Sequence, residues 1–150
     1  MNYLFLDIKL KLGGWDPKRS LEVFGMKLLI IDDTKSVHAF FTSILDDYQV
    51  ESVHAMSGEE GLTILKDTTD IDVVLLDWEM PGLNGLETLK EIRQAMVTPV
   101  LMVTSKNNQS NFAQAFENGA DDYILKPFTA ETIIEKIQTI TGETISAKAS

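Results

Sequence analysis

The chain has no cysteine among its 150 residues, which excludes disulfides, thiolate metal sites and a thiol nucleophile together. It is also poor in positive charge: 13 lysines and arginines against 23 aspartates and glutamates leave a formal charge of −10. A protein that grips a phosphate backbone needs clustered Lys and Arg to release counterions, so direct nucleic-acid binding is not expected. No apolar run approaches the roughly 20 residues of a membrane-spanning helix. The N-terminus lacks the basic-then-apolar order of a secretory signal, since Asp7, Lys9 and Lys11 interrupt it. The expectation is a soluble, cytoplasmic protein without a membrane partner. There is no internal repeat and no low-complexity tract, and the length fits one ordinary domain able to bury its own core.

What the chain does carry is alternation. From Met26 onward strand and helix signals exchange five times, the βαβ pattern of an α/β fold. Short apolar, β-branched-rich runs predict buried parallel strands near Lys27–Ile31, Val50–His54, Asp72–Leu76, Pro99–Val103 and Asp122–Leu125. Helices are predicted near Thr34–Asp46, Gly58–Lys66, Leu83–Ala95, Gln109–Asn118 and Ala130–Thr141. Ser57 and Glu60 read as a capping box, each side chain satisfying an orphan amide at a helix start. Gly119 fits the left-handed residue that closes a helix whose apolar spacing is Phe112, Ala115, Phe116. Ile133, Ile134, Ile137 and Ile140 fall at i, i+1, i+4 and i+7, one apolar stripe against the sheet.

Residues 1–25 stand outside this pattern. Leu4, Leu6, Ile8, Leu10 and Leu12 alternate with Tyr3, Phe5, Asp7, Lys9 and Lys11 until Gly13-Gly14, which reads as an amphipathic strand and a turn. Met26 is itself a possible start. The segment is therefore either an upstream or cloning-derived extension that hangs off the domain, or an added edge strand or dimer contact. The expected organisation is an N-terminal extension over 1–25, one domain over 26–141 and a tail over 142–150.

The chemistry sits just past the apolar runs: Asp32-Asp33 after LLII, Asp77 after VVLL, Thr104-Ser105 after VLMV, and Lys126-Pro127 after YIL. In an open α/β sheet the ligand site lies outside the carboxyl ends of the strands, so residues far apart in sequence converge there. Two unit charges about 4 Å apart repel by roughly 4 kcal/mol at an effective dielectric of 20, so three carboxylates sharing a site call for a cation. Oxygen ligands without His or Cys favour Mg²⁺ over transition metals. An aspartate beside Mg²⁺ is a nucleophile towards phosphorus, giving an acyl phosphate whose oxygens need positive partners. Lys126 supplies a charge and Thr104 a hydroxyl, small Ser105 leaves room, and Pro81-Gly82 keeps the end of the Asp77 strand open. Taken singly, each signal has a plainer reading, and Asp33 could merely cap the helix that follows it. Their joint occurrence in the right order at four strand ends carries the functional one.

These residues resemble the receiver domain of two-component response regulators over about residues 26–141. LLIIDD is similar to the family's first strand and acidic pair, VVLLDWEMPGLNGLETLKEIR to its phosphoacceptor strand, loop and third helix, LMVTS to its fourth strand and ADDYILKPF to its fifth. The resemblance implies a doubly wound, flavodoxin-like sheet of five parallel strands in the order 2-1-3-4-5. It implies phosphorylation at Asp77, Mg²⁺ held by Asp33, Asp77 and the Glu79 backbone carbonyl with Asp32 acting through water, and phosphoryl contacts from Thr104 and Lys126. Tyr123 looks like the switch aromatic, whose ring turns inward as Thr104 moves. Glu79 and Lys106 stand at positions that flank the path of the attacking water in this family, where an ion pair would slow hydrolysis. Asn84 replaces the usual acid before Gly85, a change of little expected weight in an exposed turn.

The implied partners are a sensor histidine kinase or phosphotransfer protein and an unknown downstream protein. In the first helix Phe41, Ile44 and Leu45 form the inward face, whereas Val37 and Phe40 project towards the rim of the site and suit docking of the phosphodonor. The alternative is that Phe40 packs under the N-terminal extension. Little chain follows the last helix, which sets the expectation of a stand-alone, chemotaxis-type receiver that does not turn over a substrate. A receiver fragment of a longer regulator is the alternative. A haloacid-dehalogenase-type aspartyl phosphatase would need D-x-D after its first strand, where this chain has Asp32-Asp33-Thr34-Lys35, and a flavodoxin-like cofactor binder would find its phosphate repelled there.

Overall fold

Five runs rich in Val, Ile and Leu become five parallel strands in this computed structural model, which describes residues 25–149. In chain order they are β1 (Met26–Ile31), β2 (Val50–Ala55), β3 (Val73–Asp77), β4 (Val100–Thr104) and β5 (Asp122–Leu125). Helices α1 (Lys35–Leu45), α2 (Gly58–Asp67), α3 (Gly85–Ala95), α4 (Gln109–Glu117) and α5 (Ala130–Thr141) alternate with them. The strand order is β2-β1-β3-β4-β5, the expected doubly wound sheet. The expected strand over residues 3–12 and the turn at 13–14 lie outside the described residues.

Strand side chains alternate between faces, so every central strand feeds two cores. Leu28, Ile30, Val73, Leu75, Leu101 and Val103 face α1 and α5, where they meet Phe41, Leu45, Ile133, Ile134 and Ile137. Leu29, Ile31, Val74, Leu76, Val100 and Met102 face the other way, against Leu65 of α2, Leu89 and Ile92 of α3 and Ala115 of α4. Burial of each such side chain stabilises the fold by about 1.5–3 kcal/mol relative to exposure. Of the last-helix stripe, Ile133, Ile134 and Ile137 are buried and Ile140 packs at its edge. Phe116 departs from the expected face of α4: Ala115 is fully buried, whereas Phe116 is half exposed.

Register decides where the site residues stand. Asp77 pairs with Val103 and Thr104 with Leu125, so both are the last residues of their strands rather than the first of the following loops. Helix starts follow local hydrogen bonds. Ser57 Oγ accepts from the Glu60 N–H, but the Glu60 carboxylate reaches one residue further back than a capping box requires, to the Met56 N–H at 2.7 Å. The full box belongs to α3: Asn84 Oδ1 accepts from the Glu87 N–H, and Glu87 accepts from the Asn84 N–H. Asn84 thus has a structural task that its place in a turn concealed. At the end of α4, Gly119 has φ +99°, and the Ala120 N–H returns to the Ala115 carbonyl at 3.0 Å, the closure expected of a left-handed glycine.

Beyond Thr141 the chain folds back. Ile145 is buried against the α1/α5 core, the Gln49 N–H donates to the Ser146 carbonyl at 2.8 Å, and the Lys148 N–H to the Asp47 carbonyl at 2.7 Å. Described residues past α5 therefore belong to the body of the domain.

Candidate functional site

β1 ends on Ile31 and delivers Asp32 into a nearly closed environment. The Asp32 N–H donates to the Ala55 carbonyl at 3.1 Å, tying the loop to β2, and its Oδ1 accepts from the Thr34 N–H at 2.9 Å. Asp33 is exposed and does not cap α1; the cap position is Thr34, which makes no side-chain cap bond. That leaves the Asp33 carboxylate free of the plainer role allowed for it.

β3 brings Asp77 to the same edge, 7 % exposed. Oxygens of Asp32, Asp33 and Asp77 all lie within 4.8 Å of one another. From β5, Lys126 Nζ stands 3.2 Å from Asp32 Oδ2 and 3.3 Å from Asp77 Oδ1. Burial, and then the neighbouring Asp32, push the Asp77 carboxyl up to about 6, while Lys126 pulls the other way. Burial alone would lower the Lys126 ammonium, but Asp77 and Asp32 outweigh it and raise it. Three carboxylates with one ammonium, which contacts only Asp32 and Asp77, are short of positive charge, and the donors are oxygens only, so the residues fit a hard dication such as Mg²⁺. α3 starts so close behind Asp77 that any Cβ at position 85 would collide with the Asp77 carbonyl oxygen, and glycine is the residue that permits this approach.

Thr104 closes the next strand, 1 % exposed, and its Oγ1 accepts from the Lys106 N–H at 3.1 Å. The Lys106 side chain meets Glu79 at 3.3 Å and lies 5.8 Å from the centre of the Trp78 ring. These residues, with Met80, Pro81 and Asn84, line a surface cleft over the loop that follows Asp77. Tyr123 on β5 is buried edge-on against Phe112 at 4.2 Å, and its hydroxyl has no hydrogen-bond partner among the described residues. Burial pushes that phenol up.

Asp32, Asp33, Asp77 and Lys126 are thus brought together, and Glu79 is joined to Lys106. Of the docking pair, Phe40 is 43 % exposed and lies 5.6 Å from the Phe128 ring, whereas Val37 is half-buried against the α1/α5 core. The N-terminal extension, the alternative packing partner expected for Phe40, lies outside the described residues. Sequence reasoning missed His38 and His54. His38 is buried on α1, its Nε2 2.7 Å from the Asp32 carbonyl oxygen and its Nδ1 2.6 Å from Nδ1 of His54. Burial, and then His38, lower the His54 imidazole. The available signal was a polar residue at helical spacing from Phe41 and Leu45.

Comparison with known proteins places these features among relatives. A family model described as the response regulator receiver domain matches residues 28–138. The transcriptional regulatory protein CpxR of Klebsiella pneumoniae is 37 % identical over 114 residues, which is 76 % of this chain and 48 % of that protein. A chemotaxis protein CheY homologue of Campylobacter jejuni is 32 % identical over 121 residues, 78 % of this chain and 93 % of that one. This chain therefore spans about half the length of the CpxR relatives it matches and nearly all of the CheY homologue. Among solved structures, chemotaxis protein CheY4 of Vibrio cholerae superposes with a TM-score of 0.73 at 29 % identity, covering 78 % of this chain and 99 % of that one. A response regulator receiver domain protein from Clostridium thermocellum gives 0.72 at 32 %, covering 78 % and 94 %.

Proposed function

The chain belongs to the response regulator receiver family, and from that premise we propose that it is a phosphoacceptor switch whose acceptor is Asp77. The observation that carries this reading is the Asp77 carboxylate itself, buried at a strand end within 4.8 Å of two further carboxylates and bonded to Lys126. An Asp77 oxygen attacks phosphorus of a phosphohistidine on a sensor kinase or phosphotransfer protein; the P–N bond breaks and the imidazole leaves with its electron pair. Asp33, Asp77 and the Glu79 backbone carbonyl would hold Mg²⁺, with Asp32 acting through water. When bound, the ion neutralises the carboxylates and the incoming phosphoryl oxygens.

The remaining work falls to residues of the chain. Lys126 bridges Asp32 and Asp77 before transfer, and its ammonium turns to the phosphoryl oxygens afterwards. Thr104 gives up its bond from Lys106 N–H and donates its hydroxyl to the same group. That movement changes the space beside Tyr123, whose unsatisfied hydroxyl favours a second arrangement of the ring. The face formed by α4, β5 and α5 then changes partners. Phe40, backed by Phe128, offers the phosphodonor an aromatic contact, and the Glu79–Lys106 pair shields phosphorus from in-line water. Turnover of a separate substrate is not part of this reading, and no helix among the described residues is long and apolar enough to cross a membrane, which suits work in the cytoplasm.

Incubation with Mg²⁺ and acetyl phosphate should add one acid-stable, hydroxylamine-labile phosphoryl group, which Asp77→Asn abolishes. Label should decay faster in Glu79→Ala. Labelling that survives Asp77→Asn and maps to a serine or threonine would contradict the assignment. The CheY homologue, matched over 93 % of its length, supports a stand-alone switch; the CpxR relatives, matched over 48 %, support a receiver working within a longer regulator. The reading frame around the gene separates the two.

A further inference from the structure

His38 and His54 take no part in phosphoryl transfer, yet they reach the acidic pocket from behind. The backbone oxygen of Asp32, 2.7 Å from His38 Nε2, can only accept, so that nitrogen carries the hydrogen. In the neutral ring this leaves Nδ1 as an acceptor, and its neighbour at 2.6 Å is Nδ1 of His54. His54 must then donate from Nδ1. With His38 in its neutral form the chain of bonds runs from His54 Nδ1–H to His38 Nδ1, and from His38 Nε2–H to the Asp32 carbonyl. The rings meet edge to face with centroids 4.8 Å apart.

What this chain of bonds holds is the first acidic residue of the pocket. The Asp32 N–H is tied to Ala55 of β2, and its carboxylate is engaged by the Thr34 N–H and Lys126. Its carbonyl oxygen is the remaining handle, and the two imidazoles connect that to β2 as well, through the residue next to Ala55. Both sides of Asp32 are thereby anchored to one strand. The Asp32–Asp33 peptide begins at this carbonyl, so its rotation would swing the Asp33 carboxylate away from Asp77. We infer that His38, oriented by His54, is a positioning residue that fixes the Asp32–Asp33 peptide so that the carboxylates converge on a divalent cation. The inference rests on the phosphoacceptor reading for the cation, while the hydrogen-bond chain stands without it.

The test uses the full chain carrying Trp15→Phe, which leaves Trp78 as the sole tryptophan, titrated with MgCl₂ and followed by fluorescence and calorimetry. His38→Phe keeps a ring but loses both bonds, and should weaken Mg²⁺ about 10-fold, the usual scale for groups that orient metal ligands. His38→Gln carries an N–H at the Nε2 position and should restore most of the affinity. His38→Asn carries its amide at the Nδ1 position, cannot reach Asp32, and should behave like the Phe variant. Long-range ¹H–¹⁵N spectra of the parent, which need no variant to fold, should show hydrogen on Nε2 of His38 and on Nδ1 of His54. Equal Mg²⁺ affinity throughout, equal losses in all three variants, or hydrogen on Nε2 alone at His54 would overturn the inference. Failure of Asp77 to accept phosphate in the parent would instead overturn the phosphoacceptor reading, leaving the Mg²⁺ and spectroscopic results to judge His38.

Discussion

Asp77 is held in a state that its surroundings oppose. Burial and Asp32 favour its protonated form and carry it from an ordinary 3.8 to about 6, although Lys126 is in contact. Because the folded value lies above the unfolded one, proton binding supports the fold: the contribution is complete below about pH 4 and is lost as pH rises through about 6. Above that range the ionised carboxylate is a strain that an amide would not impose. In EDTA at pH 8, Asp77→Asn should therefore be more stable than the parent by about 1–3 kcal/mol, the spread allowing for the Lys126 partner it loses. Near pH 4.5 the gap should narrow to about a third of that. Mg²⁺ should stabilise the parent at pH 8 and leave the variant nearly unmoved. Urea denaturation at the two pH values checks this, and a gap that persists unchanged at pH 4.5 would point to packing rather than charge.

At the scale of elements, a strand end in a parallel sheet is both a packing boundary and a functional edge, which is why β1, β3, β4 and β5 were legible. An apolar run must stop where the sheet meets solvent, and the first polar residue there is placed by register without further information. Asp77 and Thr104 needed only that rule. Contacts between elements did not follow from it. His38 and His54 belong to different elements, and only the crossing of α1 over β2 makes them a pair. Glu60 was assigned to the right cap region and the wrong amide, because one residue of backbone path decides which N–H its carboxylate meets. The segment after α5 shows the same limit. Ile145 is a single apolar residue in a polar stretch, yet it is 7 % exposed and pinned by the Gln49–Ser146 and Lys148–Asp47 bonds. Ile145→Ala should lower unfolding stability by about 2 kcal/mol, the low end of buried Ile truncation, since the site lies at the rim of the core. A loss under about 0.5 kcal/mol, the range of ordinary surface changes, would mean the segment only rests on the surface.

For the molecule as a whole the open question is what its edges meet. Among the described residues β2 and β5 each pair with one strand only, so the sheet offers two edges on which further strands could add. The chain also carries, in residues 1–25, a stripe of Leu4, Leu6, Ile8, Leu10 and Leu12 whose strict alternation would place five apolar side chains on one face. An alternating apolar stripe costs free energy in water and is relieved by strand pairing, either with its own domain or with a second copy, and a net charge of −10 is not by itself enough to prevent association through a strand edge. We therefore expect the extension to promote a homodimer without entering the proposed Asp77 chemistry, whose residues all lie between Asp32 and Lys126. Removing residues 1–25 should leave acetyl phosphate labelling intact and shift the protein towards monomer in light scattering, with amide exchange at residues 3–12 of the full chain slowed accordingly. Equal monomeric mass for both forms, together with unprotected amides over residues 3–12, would show that the stripe meets neither the domain nor a second copy.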